Sequence, residues 1–263
     1  MEINVAANSP WGIVAMKSEL SRFYNWQGKV DMGYRISQEA LRIAEESGDI
    51  YSKTYAYCFH GRSCFYRGHF QEARDSLLKG TDFCGKIDFL KVSEEAHRDL
   101  GFVYSEIGKY QKSKEHYSKA ISIGELAGTA PSEIKFCKTA IANAKVMNNE
   151  RDIDLELLYG YAAENKSKLY EGWMLRNIAE ILFHLGGQHL DDVAGWIEKA
   201  NEADKRNGLI WHLGRDYALF AEFFKLRGDQ PKAKKNLDMA INIFKECGAD
   251  GWAEKYEKAM AEI

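Results

Sequence analysis

The sequence predicts an all-α solenoid of about six antiparallel helix hairpins plus one closing helix, and three observations predict it. Only Pro10, Pro131 and Pro231 occur as prolines in 263 residues, and proline breaks helix interiors, so long helices are permitted almost throughout. Turn signals recur at positions 28, 68, 108, 151, 188 and 228, at intervals of 40, 40, 43, 37 and 40. Glycines suited to helix ends fall at Gly48, Gly85, Gly128, Gly208 and Gly248, with Asn165 in the remaining place, at a mean spacing that is again 40. Glycine is favoured just past a helix because the left-handed backbone there costs it nothing, and asparagine is the usual substitute.

The units run 10–48, 49–85, 88–128, 131–165, 168–208 and 209–248, with a capping helix over 250–263, and they read as one repeat domain. The clearest is 99–128, with Leu100, Gly101, Tyr104, Gly108, Tyr110, Tyr117 and Ala120. Gly61, Gly68, Phe70, Ala73, Leu77 and Gly80 mark a second copy. Ala221, Phe224, Gly228, Ala233, Leu237 and Ala240 mark another near the end, and Leu20, Tyr24, Gly28, Val30, Gly33 and Ala40 the first. Small residues such as Gly61, Gly101, Ala144, Ala179 and Ala221 let one helix of a pair approach the other. A single hairpin cannot bury its apolar face, so neighbours must stack. Two units are irregular: 139–165 turns through NNERDID, and 175–208 through the longer LGGQHLDD. Ser9-Pro10 and Ala130-Pro131 read as helix starts, and Asp49 and Asp229 as caps.

Composition narrows the function classes. The formal net charge is −3, against the basic excess of a general nucleic-acid binder. The start MEINVAANSPWG lacks a basic region followed by an apolar one, so no secretory signal is expected. No run of 18 apolar residues exists, and no membrane span is expected. Five cysteines, an odd number, lie within helical patterns, which favours a reducing cytoplasm over a disulfide framework. GxSxG, HExxH, GxGxxG and GxxxxGK[ST] are absent, so an enzyme is the least expected class and no cofactor is expected.

The spacing of small, aromatic and turn residues in 99–128 resembles the tetratricopeptide (TPR) repeat. The usual unit is about 34 residues, so a unit near 40 implies helices of roughly 16–18 residues. The stretch from Gly195 to Trp252, closing on Phe244, Gly248, Ala249 and Trp252, resembles the TPR arrays of bacterial class III adenylate cyclases and of STAND ATPases of the MalT kind. That resemblance implies a right-handed superhelix whose first helices line a concave groove. It carries over no catalytic residue. It also implies that binding of chaperone tails is disfavoured, since Ser18 and Arg22 occupy places where that clamp uses Lys and Asn.

In the register of the resemblance, groove residues are Arg22, Asn25, Tyr55, Arg62, Phe65, Arg98, Phe102, Lys138, Lys145, Asn148, Arg176, Arg215 and Lys225. Glu95, Glu106, Glu180 and Glu222 hold equivalent places, giving eight basic residues to four acidic. Basic groups with interleaved aromatics suit an acidic or aromatic-rich peptide or protein. Reversing Arg62 and Arg98 is the expected way to abolish capture. The alternative readings are a receptor for a short signal peptide or small ligand, and a self-assembly module. Cys58, His60 and Cys64 invite a metal reading, but no second ligand pair matches, so core packing is favoured and no metal is expected. His184 and His189, with Asp191 and Asp192 close by, read as an exposed loop with a capping Asp.

Overall fold

The computed structural model describes residues 9–262, so the start read as lacking a signal (1–8) and the last residue of the capping helix lie outside it. Among the described residues there are thirteen α-helices and no strand. They fall into two compact units, Met1–Thr129 and Ala130–Ile263.

The first unit holds α1 (Pro10–Trp26), α2 (Val30–Ser47), α3 (Ile50–Arg67), α4 (Phe70–Ile87), α5 (Leu90–Glu106) and α6 (Tyr110–Ala127). Each has 17 or 18 residues, as the long repeat predicts. Successive helices pack as hairpins, and α1, α3 and α5 also touch one another, so the first helices of the pairs form one layer. Left-handed residues recur at 28, 48, 68, 88, 108 and 128, every 20 positions. The expected helix end at Gly85 is corrected: Gly85 lies inside α4, and Asp88, at φ 51°, makes the turn. Asp tolerates that conformation because its short side chain can bond locally, and the half-repeat of the first unit is an even 20 residues. The caps at Ser9 and Asp49 are present, accepting from Gly12 N at 3.0 Å and Ser52 N at 2.8 Å.

The hairpins are held by close approach at small residues. A Cβ placed on Gly101 would lie 2.5 Å from the ring of Tyr117, which is buried. Gly101→Val is therefore expected to cost about 1–3 kcal/mol by overpacking. Urea melts of Gly101→Val, Tyr117→Leu and the double variant check it; strict additivity of the two changes would count against that contact.

The second unit holds α7 (Pro131–Met147), α8 (Leu155–Ala163), α9 (Lys168–Leu185), a short 3₁₀ turn at Gly187–His189, α10 (Leu190–Asn207), α11 (Ile210–Leu226), α12 (Gln230–Cys247) and α13 (Asp250–Met260). The irregular units are found here as expected: α8 has only nine residues, started by Asp154, whose side chain accepts from Leu157 N at 3.0 Å. It ends at Ala163, beside the helix end expected near Asn165, but without a left-handed residue: the cap, Glu164, has φ −88°. The short α8 still reaches the core. Leu158 packs with Ala142, Ile178, Leu182, Val193 and Ile197. Asp191 and Asp192 sit in the first turn of α10 and do not cap it, because the 3₁₀ turn delivers His189 to the cap position instead. At the other end Trp252 seats α13, stacked on Phe244 at 5.8 Å and edge-on to Trp211 at 5.3 Å. Asp229 caps α12, accepting from Lys232 N at 3.1 Å. No helix among the described residues is long and apolar enough to cross a membrane.

Candidate functional site

In the first unit the layer of α1, α3 and α5 presents an aromatic row. Tyr55 stacks on Phe59 at 4.9 Å, meets Trp11 edge-on at 5.2 Å and approaches Phe89 at 5.7 Å. Tyr51 extends the row, 6.1 Å from Trp11 and 6.4 Å from Phe89. The outer members remain open, Trp11 at 36% exposure and Tyr51 at 49%. Arg22, half-buried, lies over the rings of Trp26 at 4.9 Å and Phe59 at 5.6 Å, and pairs with Glu19 and, at 3.6 Å, with Glu95. Of this cluster the groove register names Arg22 and Tyr55. Trp11, Tyr51, Phe59 and Phe89 were missed, because Trp11 and Phe89 lie outside the repeat's marker positions. An exposed tryptophan one residue after a proline helix start was the available signal.

Beneath the row the basic residues turn inward. Arg62 is buried, with Nε 2.7 Å from Asp99 and an Nη 2.8 Å from Glu95. Arg98 is buried too, bonded to Glu94 one turn before it at 2.7 Å. Burial alone would raise the Glu95 carboxyl, but Arg62, Arg98 and Arg22 outweigh it and hold the pKa near about 2. Asp99 lies deeper, and there burial wins over Arg62, leaving its pKa above the ordinary value. Asn25, Phe65 and Phe102 are also buried: Asn25 donates to Ser63 Oγ at 2.9 Å, and the two rings pack 5.7 Å apart. The structure places these five predicted residues inside the first unit.

In the second unit Lys138 and Lys145 line a cavity of about 330 Å³ between α7 and α8, with Asp152, Asp154, Leu157, Leu158 and Tyr161 on its other walls. The irregular turn is what opens it. Asn148 is exposed at the end of α7 and donates to Glu150 at 3.1 Å, and Lys225 is exposed on α11. Arg215 stacks over Trp252 at 4.4 Å and faces Glu180 at 3.9 Å. Arg176 is fully buried, 2.9 Å from Asp216 and 3.6 Å from Asp204, beside a buried His212. One guanidinium cannot neutralise two buried carboxylates. Burial and the neighbouring Asp216 accordingly push Asp204 up to about 8, and it holds a proton at neutral pH. The excess of basic groups read from the sequence thus shrinks, since Arg62, Arg98 and Arg176 meet acids of their own unit.

No protein-family model matches the chain, and no curated protein sequence matches it either. Solved structures do match. The apo form of RapI superposes with a TM-score of 0.67 at 14% identity, over 88% of this chain and 84% of that one. A Rap protein complexed with Competence and Sporulation Factor gives 0.64 at 15%, over 92% and 80%. A STAND protein with a tetratricopeptide repeat sensor from Pyrococcus horikoshii gives 0.53 at 15%, over 94% of this chain and 39% of that one. The chain has the fold of TPR-like repeat proteins.

Proposed function

We propose that this TPR-like chain is a non-enzymatic scaffold that docks a peptide or protein segment, with the aromatic row of the first unit as its principal contact. The observation that carries the reading is the pair of open rings, Trp11 and Tyr51, at one end of a row whose other end, Phe59, lies under Arg22. Aromatic and arginine side chains dominate binding energy because they bury large rigid areas at small entropic cost. The open rings suit an apolar or aromatic side chain, and Arg22, at the Phe59 end of the row, an acidic residue further along the ligand. Arg22 already shares Glu19 and Glu95, so an acidic neighbour is a secondary feature of the ligand and not its main one.

Selection from a random peptide display library tests this. Enriched peptides are expected to carry an aromatic residue with a nearby acid, and Trp11→Ala with Tyr51→Ala is expected to weaken them at least about tenfold, a loss of about 1.4 kcal/mol. Trp11 is 36% exposed and also packs on Tyr55, so some fall in melting temperature is expected, and affinity is compared at a temperature where circular dichroism shows both proteins folded. Equal affinity in wild type and double variant would remove the row from the binding site.

A receptor for a short signalling factor is the second reading, favoured by the likeness to the Rap protein complexed with Competence and Sporulation Factor. It differs in predicting one tight peptide class, and not a family of weak ones. For this reading the candidate contact within the second unit is the cavity of Lys138 and Lys145, a charged cleft with an apolar floor. Self-assembly is the remaining outcome, read as concentration-dependent light scattering without any peptide.

A further inference from the structure

His60 and Cys64 are one turn apart on α3 and share a face. The left-handed turn at Gly68 reverses the chain, and the first turn of α4 brings Glu72 against them. His60 Nε2 lies 3.2 Å from Glu72 Oε1 and 3.5 Å from Cys64 Sγ, and the three donor atoms all fall within 4.8 Å of one another. A tetrahedral zinc ion with ordinary bond lengths to nitrogen, oxygen and sulfur requires edges of about 3.4 Å for N···O and about 3.5 Å for N···S. Cys58, read with this pair in the sequence, stands apart, its sulfur against Gly80.

The protons point to a cation. Ser37 Oγ is 2.7 Å from the Tyr34 carbonyl, to which it can only donate, and 2.9 Å from His60 Nδ1. A hydroxyl has one proton, so Nδ1 carries a hydrogen and donates to Ser37. With that hydrogen on Nδ1, the neutral ring offers its lone pair at Nε2. That lone pair faces a carboxylate oxygen at 3.2 Å, an approach of two acceptors that a positive charge between them relieves. The Cys64 thiol has a single proton and can serve one of these acceptors, not the contact between them.

We propose that His60, Cys64 and Glu72 form a binding site for one divalent ion of borderline softness, Zn²⁺ best matching their mixed nitrogen, sulfur and oxygen donors. Ser37 fixes the tautomer of His60, and the Tyr34 hydroxyl, 3.3 Å from each oxygen of Glu72, orients the carboxylate. Metal-bound histidine and carboxylate ligands are ordinarily held by such partners. On binding, Cys64 releases its proton to solvent. The fourth position opens on a cavity of about 550 Å³ lined by His60 and Glu72 together with Tyr57, Asp75, Ser76 and Lys79, so water or a small anionic ligand completes the coordination. Three protein ligands with an open position are the pattern of a reactive, not merely structural, zinc site.

The test is titration of the reduced, chelator-treated full chain with Co²⁺, then Zn²⁺. One equivalent of Co²⁺ is expected to give a thiolate-to-cobalt charge-transfer band that Zn²⁺ abolishes, and Zn²⁺ is expected to raise the melting temperature. Cys64→Ala should lose the band. Glu72→Gln, at a side chain 44% exposed, should fold normally and weaken binding at least about tenfold. Absence of the band at stoichiometric Co²⁺ overturns the proposal, and so does unchanged affinity in Glu72→Gln, even if Cys64→Ala fails to fold.

Discussion

Arg176→Met is expected to cost the second unit about 3–5 kcal/mol, the price of leaving buried carboxylates without their cation. Domains of this size are stable by only about 5–15 kcal/mol, so the melting temperature should fall by on the order of 10 °C or more. Asp216 is 2.9 Å from the guanidinium, and neither it nor Asp204 reaches solvent. Urea unfolding checks the loss, and a wild-type midpoint would show that the cluster does not hold the unit together. A companion variant tests the charge state. In the unfolded chain an aspartate loses its proton near pH 3.9, whereas Asp204 keeps it to about 8. Between those values the native state binds more protons, so its stability falls as pH rises. Histidines lowered by burial, such as His97 and His116 at about 4, add an opposite slope as the unfolded chain titrates, so the effect of Asp204 is read as the difference between wild type and variant, in which they cancel. Asp204→Asn, a mimic of the protonated acid, should lose less stability than wild type as pH rises from 6.5 to 8, without loss at neutral pH.

Arg62→Glu with Arg98→Glu is expected to leave the first unit unfolded at room temperature. Each change sets a carboxylate among Glu94, Glu95 and Asp99 in a site closed to water. Like charges there combine with lost pairing, and the sum exceeds the about 3–5 kcal/mol of a broken buried pair. Loss of partner capture by this variant would therefore report folding. Arg22→Glu separates the two effects: its side chain is 26% exposed, so helicity should persist while any peptide held at the aromatic row weakens. Far-UV circular dichroism of the three proteins decides it. A fully helical double variant would return Arg62 and Arg98 to the list of ligand contacts.

The difference between these arginines could not be read from the sequence. Arg22 and Arg62 share a repeat register, Arg98 lies one turn before the equivalent place on the same face, and register fixes which helix face a residue occupies. Whether that face is open depends on what the neighbouring helix brings. Asp99 is on α5, 37 residues beyond Arg62, and nothing in either local pattern announces the pair. The same holds for Glu72, which sits on a polar stretch of its own helix and acquires a role only when the turn at Gly68 folds it onto His60 and Cys64. Trp11 was legible as an aromatic near a helix start, but its partners Tyr51 and Tyr55, and Phe89 against those, come from later in the chain.

By itself the sequence determined the helical class, the 40-residue period, helices of roughly 16–18 residues, the caps at Ser9, Asp49 and Asp229, and the irregular stretch around α8. These follow from local chemistry: proline scarcity, capping side chains, and small residues at fixed spacing, each acting within one or two turns of helix. Tertiary structure alone decided which basic residues are neutralised inside, where aromatic rings remain open, and that the left-handed turn of the second hairpin belongs to Asp88 and not Gly85. Those outcomes rest on contacts across dozens of residues, where burial sets the strength of charge and close packing sets who meets whom.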